Sequence, residues 1–243
     1  MSDNVDYEAC MNKDFLVPDD TELCRYMTLE KYVIMLQKSE LHFHYAKDFE
    51  DKFEGTMPES FLSEFPDKIR EQHKKMSIKF NKSNKTYISC WNKSRNESYA
   101  LWKIYCNCQG ICVKTTKKKL ENALNNENIK IFKVEYIDLK NKDIKINEPP
   151  IYFGKPGVNR RLSEAFKSFP YEYEDEVRAI YIEPQGNDYG KNFHVNLGTL
   201  MGSVITGPNT NDTFLEMIRD ITKKYIQKNI PITKSKIDLK SLR

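Results

Sequence analysis

The sequence has 243 residues, of which 39% are hydrophobic and 30% are charged. A chain of this length and composition can bury a sizeable core, which excludes a disordered protein. Its net charge of +4 is too small to indicate nucleic acid by itself, and its scattered lysine runs are typical of solvated helix faces.

The sequence shows neither a membrane-spanning segment nor a signal peptide for export. No apolar stretch approaches the roughly 20 residues that cross a bilayer. Residues 1–12 are polar and acidic, unlike a signal peptide. We therefore expect a cytoplasmic protein that does not bind membranes, with its six irregularly spaced cysteines as free thiols, several of them buried.

The first part of the chain alternates between helical and extended patterns. Thr28 is positioned to cap a helix that runs to about Ser39. Residues 41–45 alternate between apolar and polar, which predicts a half-buried strand. Residues 58–80 have the apolar spacing of a helix, with a break at Pro66 because proline removes a backbone donor.

The later elements are bounded by polar and proline-containing stretches. Residues 141–157 are rich in Asn, Pro and Gly and are expected to form a loop. The other predicted elements are strands at 86–91, 111–115, 129–137, 172–182 and 193–197, and helices at 97–105, 117–125 and 212–226.

The order of these elements bears on the fold class. Helices do not alternate one-to-one with strands, and no glycine-rich strand–turn–helix unit is present. We predict an α+β fold, a single domain over residues 1–243 with a mixed, mostly antiparallel sheet flanked by helices, and a split sheet stays open. Residues 1–20 are expected to be a poorly ordered lead, and residues 24–237 the core.

An acidic segment around residue 174 is the strongest candidate for chemistry. If residues 171–178 form a strand, alternation places Glu172, Glu174, Glu176 and Arg178 on one face, with Tyr173 towards the core. Crowded carboxylates raise the pKa of at least one member, which suits a catalytic base or the stabilisation of a developing cation. The alternative is a solvated strand face with an ordinary ion pair.

A second candidate segment is aromatic. Trp91 and Trp102, the two tryptophans of the chain, lie eleven residues apart, close to Ser89 and Tyr105. Large aromatic side chains beside small polar ones suit a flat ring such as nicotinamide or a base. The alternative is core packing, which is favoured for Trp102.

Arg25 and Tyr26 precede the first predicted helix. A guanidinium at the end of an element suits phosphate or carboxylate binding, whereas the alternative is a surface salt bridge. Metal binding is not expected, because Cys106, Cys108 and Cys112 lack a paired spacing with a fourth ligand.

The order of these segments resembles a large bacterial family known only as a domain of unknown function, over about residues 24–237. Cys106 and Cys108 depart from the family, in which a short polar link is expected, so they receive no role. The matching segments are Arg25-Tyr26, Leu41-x-Phe43, Phe53-Glu54-Gly55, Ser89-Cys90-Trp91, Glu97-Ser98, Trp102 with Tyr105, Lys155, Tyr173-Glu174-x-Glu176-x-Arg178, Gly207-Pro208 and Ser235-Lys236-Ile237.

A more distant resemblance, carried by the order Arg…Ser…Glu-x-Glu, is to the ADP-ribosyltransferase superfamily. It implies NAD as substrate and cleavage of the nicotinamide–ribose bond. Arg25 would hold phosphate, Ser89 would bind ribose, Glu176 would be catalytic and Glu174 would orient the acceptor. The remaining cofactor-binding candidates are Tyr26, Trp91, Trp102, Tyr105 and Arg178.

Two other classes of function stay open at this point. One is a non-catalytic module that binds a nucleotide or nucleic acid. The other is a nuclease that uses Glu174, Glu176 and Lys155 around a magnesium ion. The acceptor, the oligomeric state and the biological role are not determined by the sequence.

Overall fold

The structure is a computed structural model that describes residues 13–51, 55, 57–138, 140–141, 143, 145–146, 151–153, 159–187 and 189–237, with the backbone alone at 13, 151–153 and 159–161. The strands are β1 (Glu22–Met27), β2 (Glu40–Tyr45), β3 (Asn84–Lys93), β4 (Ile111–Thr116), β5 (Lys130–Lys133), β6 (Glu135–Ile137), β7 (Ile151–Phe153), β8 (Asn159–Arg161), β9 (Phe166–Ser168), β10 (Glu176–Pro184), β11 (Lys191–His194), β12 (Ser203–Thr206) and β13 (Ile232–Lys234). The α-helices are α1 (Leu29–Lys38), α2 (Glu59–Ser63), α3 (Asp67–Ser83), α4 (Tyr99–Cys106), α5 (Lys117–Leu124), α6 (Leu197–Leu200) and α7 (Asp212–Tyr225).

Two compact units divide these elements. The first comprises Met1–Val17, Phe43–Ser89 and Asn128–Lys191, and the second comprises the rest of the chain. In the first unit, β10 pairs with β5 in antiparallel register and β6 pairs with β9 in parallel. Phe15, which lies within the expected N-terminal lead, is buried and packs edge-on against Phe166.

The second unit is built on the central strand β4. This strand pairs antiparallel with both β1 and β12, and β12 pairs in parallel with β13. Helices α1 and α7 are tied by a buried hydrogen bond of 2.8 Å between the hydroxyls of Tyr32 and Thr222. The predicted α+β class with a mixed, mostly antiparallel sheet is confirmed, whereas the predicted domain bounds stay a prediction.

Several elements form where the local pattern places them. The Thr28 hydroxyl accepts from the Lys31 N–H at the start of α1, and Ser39 ends that helix in the left-handed conformation. Strand β2 buries alternate residues as predicted. The helical pattern at 58–80 is interrupted at Pro66, which separates α2 from α3. These features follow from local stereochemistry.

The predicted strand at 172–182 begins only at Glu176, so this prediction is wrong over its first residues. Phe169–Glu174 is a 3-10 helix with a proline in its first turn, and Asp175 follows with φ 39°. The alternation of side chains therefore does not hold: Glu172 is exposed, and Tyr173, expected to face the core, is exposed as well. The strand cannot extend back through Asp175, because this residue adopts the left-handed conformation rather than the extended one.

Three other predictions also need correction. The strand expected at 129–137 is interrupted at Val134, whose N–H donates to the Glu176 carbonyl at 2.9 Å. The strand expected at 193–197 is instead β11, and Leu197 begins α6. The expected loop at 141–157 contains β7. Over the described ranges, no helix combines the length and the apolar character that a membrane crossing requires.

Candidate active site

Four charged side chains of the first unit meet in its interior, and we call them the charge cluster: Lys167, Glu174, Glu176 and Arg178. Lys167 lies on β9, Glu174 ends the 3-10 helix, and the other two lie on β10. All four are buried, and the Arg178 side chain is 0% exposed. The turn at Asp175 allows both carboxylates to contact one lysine.

Glu176 is held by cations on both of its oxygens. Arg178 donates to Oε2 from Nε at 2.7 Å, and its Nη2 lies 2.6 Å from the same oxygen. The Lys167 Nζ lies 3.3 Å from Oε1. The backbone N–H of Glu176 donates to the Tyr136 hydroxyl at 2.8 Å. The position of this carboxylate is therefore fixed by side chain and backbone together.

Glu174 has a different set of contacts. Its Oε2 accepts from the Lys167 Nζ at 2.5 Å, so Lys167 bridges the two carboxylates. The ammonium group of Lys167 also lies 4.8 Å from the centre of the Tyr171 ring, a cation–π contact. The cation that orients Glu174 is itself positioned by an aromatic ring and by Glu176.

The two carboxylates of the cluster titrate in opposite directions. Burial, followed by the negative charge of Glu176, raises the pKa of Glu174 to about 7. Burial alone would raise the pKa of Glu176 too, but the charges of Arg178 and Lys167 outweigh it and hold this pKa at about 2. Two carboxyl groups in contact whose pKa values are separated in this way suit a division into a fixed anion and a proton acceptor.

Arg178 was predicted to bind the cofactor, and its position argues for another role. Besides holding Glu176, it donates from Nη1 to the Glu164 carbonyl at 2.7 Å, and its guanidinium lies 5.9 Å from the Phe49 ring centre. Because its side chain has no exposed surface, we assign Arg178 as a positioning residue for Glu176 rather than a ligand contact.

In the second unit, Arg25 lies inside β1 rather than at the end of an element. Its Nη2 donates to the His42 carbonyl at 3.1 Å, and its guanidinium lies 5.7 Å from the centre of the Trp91 ring. Burial lowers the pKa of Arg25, an effect that the nearby Cys90 and Tyr105 oppose. The structure therefore brings together three of the predicted cofactor-binding residues: Arg25, Trp91 and Tyr105.

Tyr26 and Trp102 belong to a second group, which we call the Glu97 network. The Trp102 Nε1 donates to Glu97 Oε2 at 3.0 Å, and the Lys236 N–H donates to Glu97 Oε1 at 2.8 Å. Tyr26 packs edge-on against Trp102 and accepts from the Ser98 N–H at 2.9 Å. These contacts support the core-packing interpretation of Trp102, which is fully buried.

The other predicted site residues differ in their exposure. Ser89 and Trp91 are fully buried, so a ligand would reach them only if the surrounding core opened. Tyr105 is 39% exposed, unlike the buried Leu101 and Trp102 of the same helix. The convergence of Arg25, Ser89 and Glu176 on one ligand stays a prediction.

The sequence interpretation missed Lys167, Glu164 and Tyr136, which complete the surroundings of the charge cluster. No periodic pattern singles them out, since both Phe166 and Lys167 are buried on the short strand β9. The lysine that the family pattern provides, Lys155, lies outside the described residues, as do Phe53 and Glu54 of the acidic turn. Gly55 is described, and its carbonyl accepts from Ser163 at 2.6 Å.

The described part of the chain contains five cysteines and several other side chains of the types that bind metals. The cysteines found there form no disulfide, and Cys24, Cys108 and Cys112 are buried. Within the same residues, no group of three or more His, Cys, Asp or Glu side chains is arranged to hold a metal ion.

Comparison with known proteins gives one match. Residues 101–179 match the model of a family described as "Protein of unknown function (DUF2971)". This segment contains the whole charge cluster together with Trp102 and Tyr105, but not Arg25, Tyr26, Ser89 or Trp91. No curated protein matches the chain, and no solved structure matches it.

Proposed function

We propose that this chain is an NAD-consuming enzyme of the ADP-ribosyltransferase type, which cleaves the nicotinamide–ribose bond at the Glu174–Glu176 pair. The observation that carries the proposal is a buried pair of carboxylates with different cation partners: Lys167 contacts both Glu174 and Glu176, whereas Arg178 holds Glu176 alone. The pKa values of the two groups are separated as a consequence. The resemblance in the order Arg…Ser…Glu-x-Glu supplies NAD as the substrate class.

The chemistry of NAD allows a pair of carboxylates to be sufficient for cleavage of the nicotinamide–ribose bond. The pyridinium nitrogen is already cationic, so the bond between C1′ and this nitrogen breaks with both electrons moving to nicotinamide, which leaves as a neutral molecule. Positive charge develops on the ribose, and a nearby fixed anion favours this transition state over the ground state. Glu176 is such an anion, because Arg178 and Lys167 hold it ionised before any substrate binds.

Glu174 accepts the proton of the acceptor. A nucleophilic O–H or N–H group attacks C1′ of the ribosyl cation, and its proton moves to the Glu174 carboxylate. A base is most effective when its pKa lies near the working pH, and the pKa of Glu174 is raised to about 7. The contact with Lys167 orients the carboxylate for this transfer.

Arg25 supports the binding half of the proposal. Its guanidinium lies against Trp91 and near Tyr105, which is 39% exposed. A guanidinium beside aromatic rings suits a diphosphate together with a flat base. In the proposal, Arg25 contacts phosphate and Tyr105 contacts a ring of NAD, while the assignment of Ser89 to the nicotinamide ribose comes from the resemblance alone.

The test is the release of nicotinamide from NAD by purified protein, with and without a cell extract as the source of acceptor. Glu174→Gln and Glu176→Gln each keep the size of the side chain and remove its charge. We expect both to lower the rate by about 100-fold or more, in the range for a lost acid–base or electrostatic group. Glu172→Gln is the matched control, because Glu172 lies in the same segment and is exposed, and it should retain the wild-type rate.

Thermal unfolding in the presence of NAD separates the proposed enzyme from a binding module. A protein that NAD stabilises but that releases no nicotinamide, even with extract, would be a binder. If NAD produces neither release nor stabilisation, the proposed function is overturned. Equal rates of nicotinamide release for the wild type and Glu176→Gln would show that the reaction does not take place at the charge cluster.

A further inference from the structure

Helix α3 (Asp67–Ser83) of the first unit is unusual in how little of it packs. In the part of the chain that the structure describes, none of its 17 side chains is buried. Ile69, Met76 and Ile78 are 41%, 66% and 59% exposed. A helix of a globular protein ordinarily buries an apolar stripe, whereas α3 packs only through half-buried side chains, those of Arg70, His73, Phe80 and Asn81.

The charge of α3 is as distinctive as its exposure. Its 17 residues contain six Lys or Arg and two Asp or Glu, a net charge of +4. The whole chain has the same net charge of +4, so all residues outside α3 balance to zero. Helix α3 is therefore one of two strongly basic stretches, since residues 221–237, which are equally long, contain five lysines and no Asp or Glu.

Four of the lysines lie on one face of α3. Lys68, Lys75, Lys79 and Lys82 are separated by seven, four and three residues. At 3.6 residues per turn these spacings place them within an arc of about 60°, along about 21 Å of the helix axis. We call this the lysine face. Its side chains are exposed, and Lys75 makes an exposed i,i+4 ion pair of 2.9 Å with Glu71.

We propose that the lysine face is a docking surface for the phosphate backbone of double-stranded nucleic acid. A row of lysines along an exposed helix neutralises successive phosphates without reading sequence. Charge complementarity selects this partner, because four exposed lysines lie in one narrow arc of a helix that has only two acidic residues, Asp67 and Glu71. The surface is independent of the proposed NAD chemistry, which uses β9, β10 and the residues around Arg25.

A membrane surface fits the same helix less well. A helix that lies in a bilayer interface needs one continuous apolar face opposite its charges. Ile69 and Met76 lie on one side of α3, but the exposed Ile78 lies about 160° from Met76 around the helix. Ile69, Met76 and the half-buried Phe80 share one side of α3, but this side lies about 110° from the centre of the lysine face rather than opposite it, which favours a polyanion over a lipid surface.

The experiment is fluorescence anisotropy with a labelled DNA duplex of mixed sequence and about 24 base pairs, in NaCl from about 50 to 200 mM and without NAD. Four phosphate contacts give a slope of log K against log salt of roughly −3 to −4, which is about a 100-fold loss of affinity over that range. Replacing Lys68, Lys75, Lys79 and Lys82 together by Gln should weaken binding at low salt by at least about tenfold and remove most of the slope.

The matched control replaces four exposed lysines of the second unit, Lys118, Lys223, Lys224 and Lys228, by Gln. This variant loses the same charge from other surfaces and should keep most of the affinity and slope. Circular dichroism should show native helix content for both variants, since the changed side chains are exposed.

Three results would overturn the proposal. The first is an absence of duplex binding by the wild type at low salt. The second is an equal loss of affinity in the lysine-face variant and in the control, which would indicate only the overall charge of the chain. The third is binding to vesicles of phosphatidylcholine and phosphatidylserine in place of DNA. None of these results depends on whether nicotinamide is released, so this test and that of the proposed activity fail separately.

Discussion

Glu176 and Glu97 are both carboxylates that accept hydrogen bonds on two oxygens, one in each unit of the chain. Their partners differ in kind. Glu97 is partly exposed and accepts from the indole of Trp102 and the backbone of Lys236, which are neutral donors. Glu176 is buried and accepts from two cations.

The difference follows from solvation. A partly exposed carboxylate keeps some water and can join segments through neutral donors. A buried carboxylate has lost its water, and only opposite charge offsets that cost. The Glu97 network therefore has the character of a structural joint, whereas the charge cluster holds titratable groups with altered pKa values, which is the condition that chemistry needs.

The largest expected effect comes from removing the cation of Glu176. Arg178→Ala leaves this carboxylate buried with one partner fewer, and we expect a loss of about 3–5 kcal/mol in the free energy of unfolding. Urea unfolding measures it. Lys75→Ala, at an exposed ion pair, is the control and should cost less than about 1 kcal/mol.

A double variant sharpens the result. Glu176→Leu with Arg178→Met replaces the ion pair by apolar side chains, a change that is often neutral for stability. If the charge cluster exists for chemistry, this variant should be folded and release no nicotinamide. A folded double variant with wild-type release would contradict the assignment of the charge cluster as a reaction centre.

The next effect is a dependence of stability on pH. The pKa of Glu174 in the folded protein is raised to about 7 from an ordinary 4.5, so its contribution to stability is full below pH 4.5 and is lost as the pH rises to about 7. Relative to Glu174→Gln, the wild type should therefore lose on the order of 3 kcal/mol of unfolding free energy across this window.

Urea unfolding of both proteins between about pH 4 and pH 8 checks this sign. The pKa of Glu176 is lowered to about 2, so its own contribution is lost only as the pH falls below 4.5 towards 2. Glu172→Gln, a change at an exposed position of the same segment, is the control. A constant difference between Glu174→Gln and the wild type would mean that the pKa of Glu174 is not raised in the folded protein.

The smallest expected effect lies in the Glu97 network. Glu97→Ala removes two hydrogen-bond acceptor sites, and because Glu97 is partly exposed we expect a cost of about 1–2 kcal/mol in the free energy of unfolding. Lys236→Ala keeps the backbone N–H that donates to Glu97, and should stay within about 0.5 kcal/mol of the wild type. Thermal unfolding followed by tryptophan fluorescence compares the two. Equal stabilities would show that this network does not hold the segment around Lys236.

Local patterns in the sequence were sufficient for several elements of the fold. Thr28 caps α1 through its own hydroxyl, Pro66 separates two helices, and alternate residues of β2 are buried. Each depends on neighbours within a few positions, for which the physical rules are local. The α+β class followed from the order of these elements.

The sequence also identified Glu174, Glu176 and Arg178 as chemically informative, but it did not determine what they contact. The left-handed conformation of Asp175 sets the directions of the two carboxylates, and Lys167 reaches both from another strand. Glu97 likewise meets the backbone of Lys236, 139 residues along the chain. Such contacts leave no periodic trace, because they arise from how elements pack, and burial together with the nearest charge then decides which carboxylate is a fixed anion and which can take a proton.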